Sequence, residues 1–442
     1  MHPFIRSPRL LSLQMKQFFK NLPSVRRFSL SATSQAPPQS PQSSSIQRWE
    51  DSEELIADYD PSVNGYYPLK LGDVLGGHYT IVQKLGWGVY STVWLAKDQR
   101  HWHEYPTFHA LKVMTRVATE AQSKLHELDF LQKMHIESPQ HPGYAHVVHL
   151  KDHFYQDGLS GRHLCLVMDP LLEDLRVFSL RWRHRLMPLP AVRCFARQII
   201  LGLRYLHDEC NIIHTDIKPA NVLLAPPGDQ SSFFANVGLD ADVETSDAKG
   251  PNGAVVTRVR STPIPYPMSD WAQKPESVES WRAVQAQIGD VGVACWADKV
   301  SEHFTEIIQT PAMRAPEVAL GSGWGKPADV WSLGCTLYEL YMGRSLFAPT
   351  ISDLAVPTVH AIAFGQYPPQ LVQRAKHRDM FFKPDGTLKI AVEGTASYAN
   401  LIRKRNAPDA AAFIDFLERT FALEPAERAT CGELLSHPWL NM

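Results

Sequence analysis

Between residues 78 and 115 short apolar runs alternate with turns. Tyr79-Thr80-Ile81-Val82 and Ser91-Thr92-Val93-Trp94-Leu95 carry the β-branched and aromatic residues that favour strands. Residues 118–134 then predict a helix. From Ala191 to Asp208 the spacing changes to a helical period, with Ile199, Ile200, Leu203 and Leu206 along one stripe. A further helix is expected from about Asp329 to Met342, and short helices close the chain. A β-rich front and a helical back make an α+β protein of two lobes.

Two stretches break this pattern. Residues 1–49 contain no Asp or Glu, and Arg9, Lys16 and Lys20 fall opposite Leu11, Met15, Phe18, Phe19 and Leu22 on a helical projection. That is the pattern of a mitochondrial presequence, and Arg26-Arg27-Phe28-Ser29-Leu30-Ser31 resembles a processing site. The competing reading is a disordered basic tail, because Ser, Pro and Gln dominate residues 31–47. Residues 225–285 are rich in Pro, Gly, Ser and Asp without sustained periodicity, which predicts an insertion, functional or disordered. The expected organisation is therefore a basic segment 1–49, an extension 50–78, a first domain portion 79–224, a spacer 225–285 and the remainder 286–442.

Composition narrows the class. The chain has 442 residues, 44% hydrophobic, and a net charge of −2, so global charge suggests neither nucleic acid nor an anionic membrane as partner. The six cysteines, at 165, 194, 210, 295, 335 and 431, form no C-x-x-C pair. That argues against a zinc site or a disulfide framework and for a reducing compartment. No apolar run approaches the roughly 20 residues that span a bilayer.

The chemistry begins at Leu85-Gly86-Trp87-Gly88-Val89-Tyr90-Ser91-Thr92-Val93. Two glycines at a strand turn let backbone N–H groups approach phosphate oxygens. In His109-Ala110-Leu111-Lys112-Val113 a lysine sits inside an apolar strand and needs an anionic partner. The sequence offers Glu127, on the following helix, as that partner, with Glu120 as the competing candidate. Such a pair would aim the ammonium at the α- and β-phosphates of ATP.

His214-Thr215-Asp216-Ile217-Lys218-Pro219-Ala220-Asn221 is the strongest signal. Asp216 can accept the proton of an attacking hydroxyl, Lys218 can neutralise the γ-phosphate and Asn221 can hold a metal, all within one turn. Ile288-Gly289-Asp290-Val291-Gly292 follows the spacer and offers Asp290 as a second ligand for Mg²⁺. Arg314-Ala315-Pro316-Glu317 and Asp329-Val330-Trp331-Ser332-Leu333-Gly334 come next. A buried Glu317 would require a cation, and Arg428 is the candidate.

These motifs, in this order, resemble the eukaryotic protein kinase superfamily over roughly residues 79–440, and Lys218 resembles its serine/threonine branch. A closer similarity is to the SR-protein kinases, which phosphorylate arginine/serine-rich splicing factors. It is carried by Gly65-Tyr66-Tyr67-Pro68, Lys84-Leu85-Gly86-Trp87-Gly88, Ser91-Thr92-Val93-Trp94, Ile213 to Pro219, Ala294-Cys295-Trp296, His303-Phe304-Thr305-Glu306 and His437-Pro438-Trp439-Leu440. The resemblance implies a bilobal protein-kinase fold with a small antiparallel N-lobe holding one key helix and a larger helical C-lobe. It implies ATP and Mg²⁺, with Asp216, Lys218 and Asn221 as catalytic residues and Asn221 and Asp290 as metal ligands. The implied nucleotide site comprises Leu85, Gly86, Trp87, Gly88, Val89, Ser91, Val93, Ala110, Lys112, Glu127, Met168 as gatekeeper, Asp169 and Leu171 of the hinge, and Leu223. The expected protein is a monomer acting on protein Ser/Thr hydroxyls in cytoplasm and nucleus, with no direct nucleic-acid partner and the mitochondrion as the alternative location.

Two features separate it from that family. Residues 351–405 hold eight Lys/Arg against four Asp/Glu, a balance that repels arginine-rich peptides where the family uses an acidic groove. Pro311 also stands where the family usually has arginine. A kinase of other substrates is therefore an alternative, as are a pseudokinase scaffold and a small-molecule phosphotransferase. The scaffold would require loss of Lys112, Asp216, Asn221 or Asp290, and all four are present.

Overall fold

The computed structural model describes residues 53–100, 106–237, 243–250, 253, 255–268, 270–299, 305–390 and 397–441. The basic segment 1–49, and with it the presequence reading, lies outside the described residues, as do His303 and Phe304.

The N-lobe is a six-stranded antiparallel sheet in the order β1-β2-β3-β4-β6-β5. Its strands are β1 (Val74–Leu75), β2 (Tyr79–Gly88), β3 (Ser91–Asp98), β4 (Thr107–Met114), β5 (Leu150–Gly158) and β6 (Gly161–Met168). The β2–β3 hairpin slips register at Ile81/Gln83 and Lys84/Gly86, which bends its tip. The helix expected over 118–134 is broken. Thr115 caps a short Arg116–Glu120 helix through the Ala118 N–H, and His126, at φ 54°, separates the next turn from α1 (Glu127–Ile136). The positive φ at His126 is what places Glu127 in the first turn of a new helix.

In the C-lobe, α2 (Leu189–Arg204) continues into a π-turn over Tyr205–Glu209. That turn carries the buried His207, where a continuous helix to Asp208 had been expected. The helix α3 (Lys326–Met342) is buried almost throughout. Gly343 ends it at φ 68°, where an added Cβ would lie 2.1 Å from the His184 carbonyl oxygen.

The stretch 225–285 is more structured than its composition predicts. It contains a Gln230–Asn236 helix, a hairpin of β9 (Thr245–Lys249) with β10 (Val255–Val259), and short helices at Asp270–Gln273 and Val278–Arg282. Trp271 and Trp281 are buried against Phe178, and Trp281 also meets Phe195 of α2. Isolated aromatic anchors of this kind hold a segment to a core without any periodic pattern.

Candidate active site

A cavity of about 550 Å³ opens between the lobes. Its roof is the β2–β3 hairpin, its back wall is β4, and its floor comes from β8 (Val222–Leu224) and the Gly289–Val291 turn that follows β11 (Ala286–Ile288). Antiparallel pairing of Val222 with Ile288 brings Asn221 and Gly289 to adjacent ends of those two strands. Every residue predicted for the nucleotide site lines the cavity except Val89, which is 61% exposed at the hairpin tip. The lining also includes Glu173, Asp174 and Arg176 and, from the spacer, Ser261 and Pro263, which the sequence reading missed.

Lys112 is buried, and its ammonium donates to Glu127 Oε1 at 2.5 Å and Asp290 Oδ1 at 2.9 Å. Glu127 is thus the partner, while Glu120 pairs with Arg116 on the helix surface. Burial works against the Lys112 charge, but Asp290 and Glu127 outweigh it and hold the ammonium above the ordinary lysine range. The same attraction pulls the half-exposed Asp290 carboxyl down to about 2, so it is an anion at any working pH.

The loop between β7 (Ile212–Ile213) and β8 converges on Asp216. Lys218 Nζ donates to its Oδ2 at 2.6 Å, and the Thr310 hydroxyl to its Oδ1 at 2.8 Å. The Asn221 amide nitrogen donates to the Asp216 carbonyl at 2.8 Å and to Oδ2 at 3.1 Å. That commits the nitrogen and presents the amide oxygen to the cavity. His214 shapes the loop from within, donating through Nε2 to the Gly289 carbonyl at 2.8 Å and accepting the Asp216 N–H at Nδ1.

Asp329, fully buried at the start of α3, holds this loop from below. It accepts the N–H groups of His214 and Thr215 at 2.7 and 2.8 Å and the His207 ring at 2.9 Å. Burial is the largest single influence on His207 and lowers its pKa, but its partners Asp329 and Cys431 together outweigh burial and raise it to about 10. Glu317 meets Arg428 in a two-pronged pair at 2.6 Å in each arm, as the sequence suggested.

Two anionic or oxygen-bearing groups, Asp290 and Asn221, face one cavity with a lysine behind them. Hard oxygen donors of this type suit Mg²⁺ rather than a soft metal. A Cβ added at Gly86 or Gly88 would meet no atom within 4 Å, so the roof leaves open space at the glycines, as a phosphate cradle requires.

Comparison with known proteins decides the family. Residues 79–239 and 274–440 match the protein kinase domain family. This chain is a serine/threonine protein kinase of the SR-protein-kinase type. It is 32% identical over 396 residues to Serine/threonine-protein kinase SRPK of Physarum polycephalum, covering 86% of this chain and 90% of that protein. It is 27% identical to SRSF protein kinase 3 of Homo sapiens, covering 88% and 91%, and 28% identical to Protein kinase dsk1 of Schizosaccharomyces pombe, covering 90% and 87%. A solved crystal structure of a kinase domain superposes with a TM-score of 0.60 at 22% identity, covering 85% of this kinase and 98% of that chain, a likeness of fold. Among the described residues no helix is long and apolar enough to cross a membrane.

Proposed function

We propose that this kinase transfers the γ-phosphoryl group of ATP, in the presence of Mg²⁺, to serine hydroxyls of arginine/serine-rich splicing factors. The observation that carries the catalytic assignment is the convergence of Lys218, Asn221 and Thr310 on the one carboxylate of Asp216. In this reading Ala110, Val93, Leu223 and the hinge Asp169–Leu171 hold the adenine, with Met168 as gatekeeper. Lys112, held by Glu127, contacts the phosphates, and the glycine-rich turn covers them. Asn221 and Asp290 would hold Mg²⁺, which when bound offsets the charge of the phosphates.

Asp216 orients the acceptor hydroxyl and takes its proton as the new phosphorus–oxygen bond forms and the bond to the leaving oxygen breaks. Lys218 balances negative charge on the transferring group. Lys112, Glu127 and Asp290 are tied together before substrate arrives, so little rearrangement is left for the reaction itself.

The substrate class rests on the relatives' names, and the charge of residues 351–405 favours a second reading, a kinase of less basic proteins. Two of those cations are already paired, Arg374 with Glu424 and Lys376 with Glu306. That lowers the repulsion an arginine-rich peptide would meet and supports the first reading. Radiolabelled ATP offered with an arginine/serine peptide, a generic basic protein and an aminoglycoside, in parallel, separates the possibilities. Preferred labelling of the arginine/serine peptide is expected; labelling of the generic protein alone favours the second reading. The matching location is cytoplasm and nucleus, and a reporter fused to residues 1–49 that enters mitochondria would overturn it.

A further inference from the structure

Two segments outside the common kinase domain meet on the strand that roofs the cleft. The domain match begins at residue 79 and lapses between 239 and 274. Residues 53–66, before that match, and 258–266, within its gap, nevertheless both reach β2. Lys84, one residue before the Leu85–Gly88 turn, is fully buried. Its ammonium donates to Glu53 Oε2 at 2.8 Å, to Glu54 Oε2 at 2.5 Å and to the Val259 carbonyl at 3.1 Å. Ser261 completes the Glu53 carboxylate, with its N–H on Oε1 at 2.7 Å and its hydroxyl on Oε2 at 2.9 Å. The Tyr59 hydroxyl donates to Glu54 Oε1 at 2.6 Å, and the buried Arg258 guanidinium donates to the Glu54 carbonyl at 3.3 Å. Two carboxylates and two cations taken out of water are stable only when each has its partners. Extension, strand and spacer therefore depend on one another.

The main chain extends this hold along the strand. Thr262 N–H donates to the Lys84 carbonyl at 2.8 Å, and the Gln83 amide donates to the Thr262 carbonyl. Further along, at the hairpin tip, the Tyr66 hydroxyl donates to the Gly88 carbonyl at 2.6 Å and the Asn64 amide to the Val89 carbonyl at 2.5 Å. The spacer then descends to the lower lobe. There the Ile264 carbonyl accepts the Glu173 N–H at 2.9 Å, and the Glu173 carboxylate accepts the Tyr266 N–H at 2.5 Å. Between these anchors Ser261 and Pro263 line the cavity.

We propose that Glu53, Tyr66, Lys84 and Ser261 are positioning residues for the nucleotide, through which the extension and the spacer hold the glycine-rich turn at a set height over the cleft. This rests on the cavity being the nucleotide site. A turn with two glycines has many backbone conformations to lose, and a ligand that must order it binds more weakly by that cost. Holding the turn beforehand removes the cost, so the network acts on nucleotide affinity and leaves the transfer step alone.

Tyr66→Phe and Glu53→Gln in the full-length kinase test this. Each keeps the side-chain shape and removes one hydroxyl or one charge. The Kd of a fluorescent ADP analogue and the KM for ATP are expected to rise about threefold to tenfold, the scale of one or two lost hydrogen bonds, with kcat little changed. Folded variants whose nucleotide Kd and KM match the parent would overturn the proposal, and so would a fall in kcat at unchanged KM. If Glu53→Gln does not fold, Tyr66→Phe decides alone, since it leaves no buried charge behind. A lowered Tm with unaltered Kd in that variant shows a purely structural contact and overturns the proposal. Ala110→Leu, which narrows the cavity itself, is the control. If it binds the analogue as tightly as the parent, the cavity reading fails, separately from the network.

Discussion

The Thr310 hydroxyl donates to Asp216 Oδ1 at 2.8 Å, across 94 residues of sequence. Thr310 lies at the start of the segment that leads to Ala315-Pro316-Glu317, so that segment is tied directly to the Asp216 carboxylate. Lys218 reaches both residues, at 2.6 Å to Asp216 Oδ2 and 3.2 Å to Thr310 Oγ1. We predict that Asp216→Ala lowers kcat by at least about 10²-fold, the scale of a positioned general base. Nucleotide affinity should stay near its original value, because Asp216 lies outside the cavity lining. Single-turnover transfer and direct nucleotide titration check the two halves, and full activity in the folded variant would sink the mechanism.

The pair beneath the catalytic loop should show in the pH dependence of stability. The folded pKa of His207, about 10, lies above its ordinary value of 6.5. A raised pKa means that the folded state binds the proton more tightly. The stabilisation is therefore complete below about pH 6.5 and is lost as pH rises toward 10. Denaturant midpoints measured between pH 6 and 10 should fall more steeply in the parent than in His207→Gln. Equal slopes would show that His207 is not held protonated.

Arg428→Ala should be among the most destabilising single changes in the C-lobe. It strands the Glu317 carboxylate, which is fully buried and accepts both arms of the guanidinium. Leaving one partner of such a pair costs about 3–5 kcal/mol. Urea denaturation measures the loss. The double variant Arg428→Met with Glu317→Leu should recover much of it, because the buried charge is then gone.

What the sequence made legible follows the distance over which residues act. Asp216, Lys218 and Asn221 lie within six residues, so their meeting was readable from local chain geometry, whereas Asp290, beyond the spacer, was read from the order of the motifs along the chain. Glu127 was named as the partner of Lys112 with Glu120 as its competitor, and what separates the two, the break at His126 that starts a new helix at Glu127, is not visible in the residue pattern. Ser261 and Pro263 were invisible, since they reach the cavity only after the spacer crosses from β10 to the hinge. Trp271 and Trp281 were unreadable for a related reason. Single aromatics among prolines and serines carry no periodicity, yet they bury into the C-lobe core. Removing residues 264–285 is accordingly expected to unfold the C-lobe, a loss that circular dichroism and urea denaturation of the shortened kinase would show; a shortened kinase with the parent's stability would mean that the two tryptophans are not anchors.

The last prediction concerns activation. Many kinases have arginine at the position of Thr215, where it binds a phosphate added to the segment before Ala315-Pro316-Glu317 and so orders that segment. Threonine cannot make that paired contact. Here the Thr215 hydroxyl instead donates to the Val293 carbonyl at 2.7 Å, fixing the start of the segment directly. Arg314, the basic residue that could have replaced the missing arginine, is committed elsewhere. It donates to the Ile308 and Gln309 carbonyls at 3.0 and 2.9 Å and to Asp353 at 2.8 Å. Gln309 adds to this scaffold through the Ala328 carbonyl and the Ser332 hydroxyl at 2.8 and 2.7 Å. Thr310 is no site for an activating phosphate, since its hydroxyl already lies on Asp216 and a phosphate would set a dianion against that carboxylate. The kinase is therefore expected to be active as synthesised. Phosphatase-treated enzyme, confirmed by mass to carry no phosphate in residues 290–317, should retain its initial rate. A fall of about tenfold or more, roughly the loss of one charge-assisted contact holding the segment, reversed by rephosphorylation there, would show that activation by phosphate is required.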